Sequence, residues 1–137
     1  MKILLCWDSE AELELLKMYL AVSDNAIVCT TSPEQFLTLV NSRQKFDVIL
    51  MSASHPSYDQ AFENFEATIE ARPTCPIVAA CQQSDVYRIA LFLTAGLRSY
   101  LIRDDNGDFM FLVQAILEAA VKQVDAERER LISVQLR

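Results

Sequence analysis

Apolar residues in this chain fall into short unbroken runs, separated by stretches where they recur at spacings of three and four. Lys2–Cys6, Ala26–Thr31, Asp47–Met51 and Pro76–Cys81 read as strands, with Arg98–Ile102 as a fifth. Continuous runs without polar alternation predict strands buried on both faces, as in a parallel sheet covered by helices. The intervening stretches predict helices. Leu13, Leu16 and Leu20 form one face of the first, which ends near Val22, and Phe36, Leu37, Leu39 and Val40 one face of the second. Phe62, Phe65 and Ile69 do so for a helix from about Tyr58 to Ala71, and Val86, Ile89, Ala90 and Leu93 for the next. A last helix starts near Asp108 and runs almost to the C-terminus.

Boundary signals agree with this periodicity. Ser9–Glu12 and Ser32–Gln35 read as capping boxes, the second with Pro33 at the first helical position. Ser84 is the expected cap of the fourth helix, and Gly96 its C′ residue. Arg72–Pro73 breaks the third helix. Strand and helix alternate throughout, with connections too long for hairpins. The expected fold is α/β: a doubly wound, five-stranded parallel sheet with helices on both faces.

Composition narrows the function classes. With 52% apolar and 23% charged residues over 137 positions, the chain suits one folded domain with a substantial core. A net charge of −7 argues against binding a nucleic-acid backbone. No stretch reads as a membrane span or secretory signal, so a cytoplasmic location is expected. Cys6, Cys29, Cys75 and Cys81 never approach a C-x-x-C spacing and read as buried free thiols. His55, the sole histidine, reads as a loop residue before Pro56, and Asp59 and Glu63 as the solvated side of a helix.

The segment Phe46–Pro56 carries the main chemical question. Its apolar run stops at Ser52, the strand's carboxyl end, where open α/β sheets place their working sites. Together with Ile3–Ser9, Pro76–Cys81 and the Ala95–Arg103 segment, it resembles the receiver domain of two-component response regulators over about Lys2 to Val124. That resemblance implies the flavodoxin-like strand order 2-1-3-4-5. It also implies phosphoryl transfer from a histidine kinase to an Asp, assisted by Mg²⁺. At the matching positions this chain has Ser52 for the acceptor Asp, Trp7 for the first acidic residue and Asp8 for the second. Cys81 stands for the Thr or Ser, Arg103 for the Lys, and Asp104 for the Pro that follows it.

One Asp beside an indole is a poor Mg²⁺ site, and no base is evident to activate Ser52. Arg103 is expected to pair with Asp8 across the top of the sheet. The expectation is a degenerate, non-enzymatic receiver without cofactor, with Trp7, Asp8, Ser52, Cys81 and Arg103 as its vestigial pocket. Two readings of Trp7 stand side by side, a plug in the former metal pocket and an aromatic packed for area alone. Tyr100 matches the family's switch aromatic, although packing also accounts for it.

Signalling is expected through the face of the fourth helix, fifth strand and last helix, around Arg98, Tyr100, Phe109 and Leu112. Residues 1–124 read as the receiver-like domain and 125–137 as a helical extension. Leu117, Val121, Val124 and Leu131 on that last helix suit pairing with a protein partner, a downstream output domain or a second copy of the chain. Two alternatives remain: a phosphorylatable regulator with a rearranged acceptor site, and a small-molecule or flavin carrier. The scarcity of glycine and the absence of a phosphate-cradling loop speak against the second.

Overall fold

The computed structural model describes residues 1–135. Five parallel strands, β1 (Lys2–Cys6), β2 (Ala26–Thr30), β3 (Val48–Ser52), β4 (Ile77–Gln82) and β5 (Ser99–Arg103), lie in the order β2-β1-β3-β4-β5. The helices are α1 (Glu10–Leu20), α2 (Pro33–Val40), α3 (Tyr58–Ala71), α4 (Ile89–Thr94) and α5 (Val113–Gln135). The register of β3 sets Ser52 beside Ala80 of β4, and that of β5 sets Arg103 beside Gln82.

Alternation along each strand divides the core into two layers. Ile3, Leu5, Val48, Leu50, Val78, Ala80 and Leu101 face α1 and α5. Leu4, Ile49, Met51, Ile77, Ala79 and Cys81 face α2, α3 and α4. Every residue of β3 is buried, as its unbroken apolar run requires.

Ser9, Ser32 and Ser57 cap the first three helices, each accepting a hydrogen bond from the backbone N–H three residues on. The two expected capping boxes are half made. Gln35 accepts the hydroxyl of Thr30, and Glu12 accepts from Arg103, so neither side chain turns back to its own cap.

The fourth helix departs most from expectation. Gln83–Arg88 is a 3₁₀ segment kinked at Asp85, and no side-chain hydrogen bond from Ser84 caps it. α4 is only six residues long. Its buried pair is Ile89 and Phe92, whereas Val86 and Leu93 are exposed. Phe92 decides the face, because its ring packs within 5.2 Å of Phe62 and 5.3 Å of Phe65 and so buries more area than a valine could. Gly96 does end α4 as expected, at φ +116°, where L side chains are strained.

The last helix is preceded by a 3₁₀ turn, Asp108–Phe111. α5 then passes the expected domain junction at residues 124 and 125 without a break.

Candidate functional site

The carboxyl ends of β1, β3 and β5 converge on Arg103. Its guanidinium is 5% exposed and grips Asp8 with two prongs, Nη1 to Oδ2 and Nη2 to Oδ1, both 2.9 Å. Nη2 also donates to Glu12 on α1 at 3.0 Å, and Nη1 to the Ser52 hydroxyl at 3.3 Å. Beneath this network lies Trp7, fully buried, with the Arg103 guanidinium carbon 4.4 Å from its ring centroid. The planar cation is thus held by carboxylates at its edge and an indole at its face, contacts that a Lys point charge could not reproduce together.

The electrostatics follow from the geometry. Burial alone would raise the Asp8 pKa, but the hydrogen bonds and charge of Arg103 outweigh it and hold the carboxyl below its usual value. Burial likewise disfavours the Arg103 cation, and Asp8 and Glu12 more than offset that. Both partners therefore stay charged over the physiological range.

Ser52 is buried and has no activating base. Its hydroxyl lies 3.2 Å from that of Ser54 and accepts a long bond from the Ser54 N–H. The His55 ring is turned away, its Nε2 donating to the Thr31 carbonyl at 2.7 Å, so it ties the loop after β3 to the end of β2. Among the described residues no group of three His, Cys, Asp or Glu gathers as a metal site.

The expected pocket is brought together except for one member. Trp7, Asp8, Ser52 and Arg103 meet, but Cys81 packs in the layer on the opposite side of the sheet. Burial followed by the charge of Asp85 raises its thiol pKa. Two residues whose roles the sequence did not reveal complete the site. Glu12 was read as a capping residue, although its i+4 position after Asp8 puts it within reach of the same cation. Asp104, which stands where the receiver family has Pro, accepts the N–H groups of Asp108 and Phe109 with its carboxylate. Those bonds, the Phe109 one foremost, lower its pKa. The turn they fix, with Gly107 at φ +75°, swings Phe109 under the sheet to stack on Trp7 at 6.3 Å.

Phe109 is therefore mostly core and reaches the outer face only as part of a groove lining. It is 5% exposed and belongs to the core. Of the remaining candidate face residues, Tyr100 and Leu112 are open to solvent and line one shallow groove with Ile102 and Ile116. Arg98 is paired with Glu127 of α5 at 2.7 Å. The helix-pairing set splits in the same way. Leu117 is fully buried against the sheet and cannot pair outward, Val121 and Val124 are half-buried, and Leu131 is exposed.

No family model matches the sequence, and no curated protein does. Solved structures do match. A CheY-like response regulator receiver domain protein from Methanospirillum hungatei is 18% identical, with a TM-score of 0.73 over 94% of this chain and 97% of that one. The chain has the receiver fold. The signal receiver domain of an HD domain-containing protein from Pseudomonas fluorescens is 23% identical, with a TM-score of 0.77 over 94% of this chain and 92% of that one. NtrX from Brucella abortus matches with a TM-score of 0.80 at 15% identity, over 99% of this chain but 29% of its own. Receiver folds thus occur both as nearly whole chains and as under a third of a longer one. The strand order 2-1-3-4-5 is common to this chain and that fold. No helix among the described residues is long and apolar enough to cross a membrane.

Proposed function

We propose that this receiver fold works in signal transduction as a phosphorylation-independent module, without enzymatic activity, through protein–protein contact. The observation that carries this reading is the Arg103 guanidinium locked onto Asp8 and Glu12 over Trp7. A receiver needs acidic residues free to hold Mg²⁺ and an Asp to take the phosphoryl group. Here the residues do not fit Mg²⁺: both oxygens of Asp8 are engaged by a fixed cation, an indole fills the neighbouring position, and Ser52 contributes only a buried hydroxyl. Mg²⁺ dehydrates reluctantly and usually depends on carboxylates, so it competes poorly with a guanidinium already in place.

Output is assigned to the β5–α5 face, where Tyr100, Ile102, Leu112 and Ile116 form an apolar groove. The Arg98–Glu127 pair fastens the start of β5 to the distal part of α5. A partner bound in the groove and on the distal helix would favour one arrangement of that joint, the differential affinity that any switch requires.

The test is a two-dimensional amide NMR titration with Mg²⁺ and beryllofluoride. The expected result is no saturable shift at Trp7, Asp8, Ser52 or Arg103. The variant Trp7→Asp/Ser52→Asp/Arg103→Lys serves as the responsive control and is expected to gain such shifts. Saturable shifts in the natural chain that spread to Tyr100 would overturn the proposal and favour a phosphorylatable regulator.

A further inference from the structure

α1 carries a second apolar stripe on the side away from the core. Leu13, Leu16 and Leu20 are its buried face. Leu15, Met18 and Tyr19, with Val22 just past the helix end, follow the i, i+3, i+4, i+7 spacing of one face, and all are exposed, Met18 at 67% and Val22 at 87%. Phe111 of the 3₁₀ turn, also 67% exposed, extends the stripe by meeting the Tyr19 ring edge-on at 5.1 Å. A helix that is apolar on both sides is ordinarily buried on both. These side chains leave on the order of 500–600 Å² open, taking about 200 Å² for each if fully exposed. That is the upper end of what monomeric proteins leave uncovered.

We propose that this stripe is the contact between two copies of the chain, related by a two-fold axis. The area fits, since a standard interface covers about 800 Å² per partner and just over half of that is apolar. The charge pattern fits as well. The chain carries a net −7, yet between Leu15 and Val22 its one charged residue is Lys17, already paired with Glu14 at 3.3 Å. Two copies therefore meet where neither repels the other, and charges beyond about 8 Å are screened at physiological salt. A strongly charged partner would find no complementary charge within the stripe. A two-fold contact also uses the same patch twice and needs no second surface. The stripe is separate from the β5–α5 groove and from Leu131, so it stands whether or not the signalling proposal holds.

Sedimentation velocity on the full chain, from low micromolar to several hundred micromolar, tests this. A concentration-dependent dimer is expected, with dissociation raised on the order of tenfold or more by Met18→Glu or Phe111→Glu. Leu131→Glu and Leu112→Glu are expected to leave it unchanged. Met18 and Phe111 are exposed, so both variants should fold, and circular dichroism melts check that. A natural chain that stays monomeric overturns the proposal. So does a dimer that Leu131→Glu or Leu112→Glu dissolves while Met18→Glu does not.

Discussion

Two arginines, at opposite ends of the sheet, solve the same problem with different partners. Arg103 lies at the carboxyl ends of the strands, stacks on Trp7 and is neutralised by Asp8 and Glu12. Arg72 caps the C-terminus of α3, with its guanidinium carbon 4.9 Å from the Phe46 ring centroid. It donates to backbone carbonyls alone: Nε to Val40 at 2.7 Å, and Nη2 to Leu39, Ser42 and Gln44 at 3.3, 3.0 and 2.6 Å. Both are planar cations that gain from an aromatic face and from several acceptors.

The contrast lies in what each leaves behind if removed. Without Arg103, two carboxylates face each other beside a buried indole. Without Arg72, the last carbonyls of α2 and those of the loop after it turn to water. The first arginine therefore fixes the electrostatic state of the site, and the second fixes only the path of the chain between α2 and β3.

This contrast can be broken by experiment. Arg103→Ala is expected to cost the most, about 3 kcal/mol, because it strands partly buried carboxylates. Urea unfolding measures it, and a loss no greater than that of Arg72→Ala would erase the distinction between the two ends. Arg72→Ala is expected to cost about 2 kcal/mol, the value of charge-assisted hydrogen bonds whose acceptors can rehydrate. Its amide shifts should stay local to residues 39–46 and leave Trp7 unmoved.

Asp8→Asn should cost less, about 1 kcal/mol, since Glu12 remains to face Arg103. Its sharper signature is pH dependence. The folded pKa of Asp8 lies below its ordinary value of 3.8. Its contribution is therefore fully present above that value and is lost as pH falls through the depressed folded one. Acid titration of stability should lose that component in the Asn variant and keep it in Arg72→Ala. Glu12→Gln is expected to have the smallest effect, about 0.5 kcal/mol, because this carboxylate is a third exposed and its pairing is partly screened. A cost for Glu12→Gln above that of Asp8→Asn would reverse the ranking of Arg103's partners.

Much of the architecture was legible along the chain. Unbroken apolar runs placed the five strands within a residue or two, and the caps Ser9 and Ser32 placed the starts of two helices, because these signals are local and depend on backbone geometry within a single turn. The Asp8–Arg103 pairing was also foreseeable, once the matching positions of the receiver fold had put both at the top of the sheet. The α4 region was not, because its face is chosen by where the rings of Phe62 and Phe65 stand rather than by its own spacing. Phe109 and Leu117 read as outward residues for a similar reason. Periodicity reveals that a stripe exists but not which side of it meets the sheet.

The amino-acid sequence by itself determined the alternation of strands and helices, the first two caps, and the presence of a Trp at position 7 and a Ser at position 52. Each of these is a property of a residue or its near neighbours. Only the tertiary structure decided that Glu12 joins Arg103, that Asp104 folds Phe109 onto Trp7, that Cys81 lies in the other core layer, and that α1 leaves an apolar stripe uncovered. These depend on contacts between residues as far apart in the chain as Trp7 and Phe109, and the packing of whole elements selects among the partners that local chemistry permits.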